Sequence, residues 1–248
     1  MIKNLTILIL CLASFTATAQ YDGKGENEVS RFRPGFMWYF TGLKPAKVEK
    51  VRKYDQLIFD VTYNDWIGDR DLFQNHWSSI GLNTNFMFDI PLSKGNTVSL
   101  GLGVSHEFKV IRHNGLLIED ELAGTTIWQE KSAIDKFNKG IFGGNSFTIP
   151  VELRFRKESW RHFKFHLGGK VGYQVNAYSK YVTGHGSKRD VEKDYGFSDL
   201  NGLIYSAHVR LGLRNWALFG SYNFNTIFSN SSSTKLNHVQ MGLSVSLF

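Results

Sequence analysis

Over eight stretches of the chain, apolar residues recur at every second position and face polar or small ones. Leu57, Phe59, Val61 and Tyr63 alternate with Ile58, Asp60, Thr62 and Asn64. Ile80 to Ile90 alternates with Gly81, Asn83, Asn85, Met87 and Asp89, and Val98, Leu100, Leu102, Val104 and Phe108 oppose Ser99, Gly101, Gly103, Ser105 and Glu107. Phe147, Ile149, Val151, Leu153 and Phe155 oppose Thr148, Glu152, Arg154 and Arg156. The same period runs from Phe163 to Val175, Leu203 to Leu213, Trp216 to Phe228 and Val239 to Leu247. A period of two is the pattern of a strand whose two faces meet different environments.

Each run holds about ten residues or more, the length a tilted strand needs to cross a bilayer. The links near Pro91–Asn96, Lys157–Arg161 and Arg214–Asn215 are tight. Those over 65–76, 112–145, 182–201 and 229–236 are mostly longer and polar. Short turns on one side and long loops on the other predict an all-β, eight-stranded antiparallel transmembrane β-barrel, an up-and-down meander over residues 55–248. A soluble β-sandwich or barrel is the alternative.

The polar face would then line the lumen, with Asp60, Asp89, Glu107, Lys109, Glu152, Arg154, Arg156, Lys164, Lys170 and Arg210 as a paired charge network. Eight strands enclose little more than their own side chains, so the lumen is expected to be packed. Trp66, Trp77, Tyr63 and Tyr181 fall at loop-side strand ends, and Trp160, Phe163 and Trp216 at turn-side ends, as two aromatic girdles would. Pro150 predicts a bulge in its strand.

Composition fits this picture. Aromatics reach 15%, with 20 Phe, 10 Tyr and 6 Trp, against only 4 Pro. Residues 1–19 carry Lys3, an apolar run from Leu5 to Leu12 and Ala17-Thr18-Ala19, which predicts an export signal. Cys11, the only cysteine, lies inside it, so no disulfide is expected. The net charge of +7 lies mostly in residues 20–54 and the tight turns (Lys94, Lys157, Arg161, Arg214), neither as one stripe nor joined to a recognised motif, which argues against nucleic acid.

The stretches SFTIPVELRFRKESWRHFKFHLGGKVGYQVNAYSKYV and LIYSAHVRLGLRNWALFGSYNFN, closed by HVQMGLSVSLF, resemble the eight-stranded outer-membrane barrels of the PorT-like group over about residues 55–248. The resemblance implies a Gram-negative outer-membrane location. The member that names the group is linked to protein secretion, but its N-terminal pattern is absent here. Gln240, Gly242, Val245, Leu247 and Phe248 resemble the closing-strand signal read by the barrel-assembly machinery, which is thus an expected partner during biogenesis.

Residues 20–54 precede the first strand and hold eight Lys/Arg against four acids. An even strand number places this segment in the periplasm, where Arg31, Arg33, Trp38 and Tyr39 are contact candidates for lipid head groups or an envelope protein. The 112–145 loop, with Glu119, Asp120 and Glu121 among Leu116, Ile118, Ile127, Trp128, Phe137 and Phe142, is the expected outward recognition surface.

Candidate chemistry is sparse. His76 and Ser78, two apart and in phase with Ile80, are the one weak catalytic pair, of the kind a lipid-A-modifying hydrolase would use. No acid is assured beside them. His162 and His166 stand too far apart along a strand, about 13 Å, to share a metal. HLGGKVG sits within a strand, so its glycines read as lumen-packing positions and not as a phosphate cradle. No metal or cofactor is expected. The function expected is therefore non-enzymatic, a barrel acting by contacts as scaffold, surface-binding protein or accessory subunit, with a lipid hydrolase or a narrow pore as alternatives.

Overall fold

The computed structural model describes residues 55–247 except 70, 94–95, 121, 133–136, 158–162 and 185–189. The export signal, the 20–54 segment with Arg31, Arg33, Trp38 and Tyr39, and also Glu121, Trp160, His162 and Phe248 lie outside the described residues.

Eight long strands close into an antiparallel barrel. They are β1 (Leu57–Gly68), β2 (Ile80–Pro91), β3 (Val98–His113), β6 (Phe137–Arg156), β7 (Phe163–Thr183), β9 (Leu203–Leu213), β10 (Trp216–Thr226) and β11 (Leu236–Ser246). Each pairs with its sequence neighbour among these eight, and β1 pairs with β11 from Ile58↔Ser246 to Gly68↔Leu236 to seal the cylinder. Three short strands stand outside the wall: the hairpin β4 (Leu116–Asp120) and β5 (Thr125–Gln129), and β8 (Asp190–Tyr195), which extends β7. Among the described residues there is no α-helix.

The long loops are shorter than the pattern suggested, because β3, β6 and β7 continue past the barrel wall at the loop side. β6 begins at Phe137 and its ladder with β7 runs to Phe137↔Thr183. The bulge expected at Pro150 is not there. Pro150 sits in register opposite Lys170, and the break falls between Asn145 and Ser146, where β7 carries the extra residue Val175. On its other side, Pro150 falls where the β3–β6 ladder skips residues without a shift of register. A missing N–H removes a bond there without needing an extra residue.

That bulge matters for the loop-side girdle. A one-residue insertion exchanges the two faces of a strand. Tyr173 points outward, but beyond Val175 the phase inverts and Ala177, Ser179 and Tyr181 point inward. Tyr181 is buried and is no girdle residue. Trp66 is likewise fully buried, in the same inward phase as Asp60, Thr62 and Asn64. Trp77, Phe163 and Trp216 are exposed.

Candidate functional site

The polar phase of the strands fills the barrel. At the turn-side end, Lys164 Nζ reaches Asp55 Oδ1 and Ser246 Oγ, each at 2.8 Å. Arg156 lies 3.1 Å from Asp89 and 3.5 Å from Asp55, and Arg154 links Asp89 at 3.3 Å to Glu152 at 2.9 Å. His166 packs between Asp55 and Glu152 at 3.7 and 3.6 Å.

In the middle of the lumen Arg210 bridges two carboxylates from different walls. Its Nη2 lies 2.9 Å from Asp60 Oδ2 and its Nη1 bonds Glu152 Oε1. Asn85 donates to Asp60 at 2.9 Å, Ser244 donates to it as well, and His208 bonds Glu152 at 2.9 Å. The Phe219 ring packs 4.9 Å from the Arg210 guanidinium. Gly168 leaves this layer its room, since a Cβ there would stand 2.9 Å from both Glu152 Cγ and His208 Cε1.

Nearer the loop side, Lys170 pairs with Glu107 at 2.6 Å, and Lys109 donates to Gln174 at 2.6 Å. Asn64, Asn83, His238 and Gln240 complete a neutral layer above them. Of the ten charges expected in the lumen, nine are buried inside the barrel, and Arg156 is partly exposed at its turn-side mouth. The alternation also places His166, His208 and His238 inside, and Asp55, buried just before β1 and outside its alternation, joins them; none of the four was in the expected network. Phe219 was missed because an aromatic in a polar phase looks like an exception; the arginine beside it explains its place. Burying so many charges is tolerable only when each has partners.

Above the lumen stands an apolar cap. Trp66, Phe73, Ile111, Leu117, Trp128, Phe137, Phe142, Tyr181, Phe197, Phe228 and Leu236 form one buried cluster. Trp128 stacks on Phe73 at 4.4 Å and meets His113 edge-on at 4.3 Å and Trp66 at 5.2 Å. The β4–β5 hairpin is tied down by polar bonds too. The Thr126 N–H and hydroxyl donate to Asp199 at 3.1 and 2.5 Å, and Ser233 also donates to that carboxylate. The Leu117 N–H donates to the Tyr181 hydroxyl at 2.6 Å, and burial pushes that phenol up to about 12, so it stays a neutral acceptor. His113 holds the Gly115 carbonyl at 3.0 Å through Nδ1, which fixes the proton on that nitrogen.

This corrects the expectation for the 112–145 loop. Trp128, Phe137 and Phe142 turn inward to build the cap instead of facing outward. Glu119 accepts the Ser198 N–H, and Asp120 accepts the N–H groups of Leu122 and Ala123 in its own turn. Among its described residues, Leu122 and Ile127 are the large apolar side chains that the hairpin leaves exposed.

A cavity of about 730 Å³ opens at the loop-side rim, lined among others by His76, Trp77, Ser78, Arg112, Asn138 and Lys139 and reaching the buried His113. His76 and Ser78 are not on a strand face; they lie in the turn just before β2. His76 Nδ1 lies 2.7 Å from Ser78 Oγ, and the Ser78 N–H points to the same nitrogen at 3.3 Å. Nδ1 therefore serves as the acceptor of a local turn cap. Among the described residues no carboxylate bonds His76, and no group of three or more His, Cys, Asp or Glu is placed to hold a metal.

The fold and its contents define a class: a closed eight-stranded barrel with charges inside and apolar side chains outside. No protein-family model matches the chain, and no curated protein matches it.

Proposed function

We propose that the chain is an integral outer-membrane barrel that acts by contacts, as scaffold, surface-binding protein or accessory subunit of an envelope assembly, and conducts no ions. The carrying observation is the inverted polarity. The outward positions of Leu57–Tyr63, Ile80–Ile90, Val98–Val110, Phe147–Phe155, Phe163–Val175, Leu203–Leu213, Trp216–Phe224 and Met241–Val245 hold no Asp, Glu, Lys or Arg. Val61, Phe88, Val104, Phe147, Val171, Leu218 and Met241 are each more than half exposed, far more apolar surface than a soluble protein presents around its whole girth. Ten residues of tilted strand supply an apolar band of about 25 Å. The resemblance to PorT-like barrels agrees with this reading.

Val151, midway along the outward face of β6, supplies the test. In lipid vesicles Val151→Arg should cost about 2–4 kcal/mol of unfolding free energy, as a cation at mid-membrane does. A cost near zero would mean that this face meets water. In planar bilayers the unaltered protein should show no stable channels, because the lumen side chains pair with one another and the buried cap stands above them; large steady openings would refute the closed lumen.

The 2.7 Å contact between His76 and Ser78 supports a second reading, a hydrolase of outer-leaflet lipid. It ranks lower because Nδ1 is occupied by Ser78's own N–H. Ser78→Ala should leave the masses of membrane lipid A unchanged; a shift by an acyl group would establish the enzyme.

A further inference from the structure

We propose that the rim cavity is a binding site for the phosphorylated head group of an outer-leaflet glycolipid, gripped by Arg112 and Lys139. The inference rests on the membrane reading above. Strand pairing sets the height of the cavity. Arg112 is the outward residue two positions beyond Val110 and four beyond Phe108, so it lies about 7 Å and 13 Å above them along the strand. Val110 and Phe108 belong to the apolar band, as does Ile80, the first residue of β2. The cavity thus begins where the band stops, at the level of lipid head groups.

Its chemistry suits an anion carrying an apolar tail. Arg112 is held by its Nη1 bond to the Ser78 carbonyl, which orients the guanidinium and leaves further N–H donors of its planar fork. Lys139 stands on β6 in the strand pair beside it, opposite Val182. Among the described residues no carboxylate is paired with either cation. Gln74 also lines the cavity with its side-chain amide, and the Asn114 amide, whose oxygen accepts the Gln74 N–H, keeps its NH2 donors for a sugar hydroxyl. Trp77, 78% exposed, sits at the cavity edge as an interfacial anchor. At about 730 Å³ the space admits a phosphorylated sugar, while acyl chains would continue down over Ile80, Phe108 and Val110 in the plane of the membrane.

A free phosphate shares the anionic chemistry but not the tail, and the two are separated by experiment. The protein in a neutral detergent is offered diphosphoryl lipid A, its dephosphorylated form or inorganic phosphate, and bound species are counted by native mass spectrometry. Diphosphoryl lipid A should be retained, the dephosphorylated lipid at least about tenfold less, and millimolar inorganic phosphate should not displace the lipid. The double variant Arg112→Gln/Lys139→Gln should lose about tenfold or more in retention. Lys157→Gln, which removes an exposed cation at the opposite rim, should retain the lipid fully. Equal retention by the double variant, or of the dephosphorylated lipid, overturns the site, and displacement by phosphate reduces it to an anion site without lipid selectivity, which also overturns it. Heat-modifiable migration of each variant on a gel verifies that the barrel has folded. A protein that never inserts into vesicles defeats the membrane reading itself, whereas one that inserts without phosphate selectivity defeats only this site.

Discussion

Arg210→Met lowers the unfolding free energy of the barrel by about 3–5 kcal/mol, measured by urea titration in lipid vesicles. Arg210 is almost wholly buried and is, among the described residues, the one cation paired to Asp60. Methionine keeps a side chain of similar length against the Phe219 ring, so packing survives and the charge is what is lost. Glu152 retains Arg154 and His208, but Asp60 is left with only the neutral donors Asn85 and Ser244. A buried carboxylate without its cation is far costlier than no carboxylate at all. The double variant Asp60→Asn/Arg210→Met should therefore regain more than half of the loss. A single-variant cost below about 1 kcal/mol would show that water reaches the middle of the lumen and solvates the abandoned charge.

Why that lumen was legible, and the cap was not, follows from how each is encoded. Strict alternation registers every residue of a strand relative to its neighbours, so Asp60, Glu152 and Arg210 could be assigned to one face without knowing the fold's details. The inside-out sense followed because the same face carried the charges. Alternation fails where it is interrupted. Val175 inverts β7 without any Gly or Pro to announce it, and Tyr181 therefore changed sides unseen. Pro150 announced an irregularity that the strand absorbs in place. The loop 112–145 held a readable hairpin pattern in Leu117-x-Glu119 and Thr126-x-Trp128, yet nothing local says that its aromatic side meets Phe73 and Trp66. That contact joins segments more than fifty residues apart, a tertiary fact that periodicity does not encode. Trp66 is the instructive case, since its position suggested a girdle while its phase, shared with Asp60 and Asn64, already pointed inward. The rim cavity was half visible. His76 and Ser78 drew attention as a catalytic pair, while Arg112 and Lys139, which lie on strands distant in sequence, had no signal linking them to that turn.

Trp128→Ala opens the cap without opening the barrel. Trp128 is 2% exposed and touches Phe73, His113 and Trp66, so its loss costs about 3–5 kcal/mol locally. Besides this ring and the Tyr181 hydroxyl, the β4–β5 hairpin is tied mainly to neighbouring loops, through Ser198, Asp199, Asn230, Ser233 and Thr234, and not to the eight-strand ladder, so the cap can unfold below the threshold of the barrel itself. Cleavage at the exposed tip around Leu122 by a dilute protease should accelerate by about 100-fold or more, since the rate follows the population of the open form. Heat-modifiable migration should stay unchanged, because no bond of the eight-strand ladder is touched. Loss of the folded barrel band would instead make the cap part of the global folding unit. Acid should loosen the same element through His113, which lies beyond the apolar band at the loop-side end of β3. Burial holds this imidazole down to about 3, against about 6.5 in an open chain. Between those two values the open form binds the extra proton, so cap stability is full above about pH 6.5 and falls as pH drops toward 3, by up to about 1.4 kcal/mol per pH unit. Hydrogen exchange over 116–129, corrected for its intrinsic pH dependence, should show that slope in the unaltered protein and lose it in His113→Phe, whose ring keeps the contact with Trp128 but cannot take a proton.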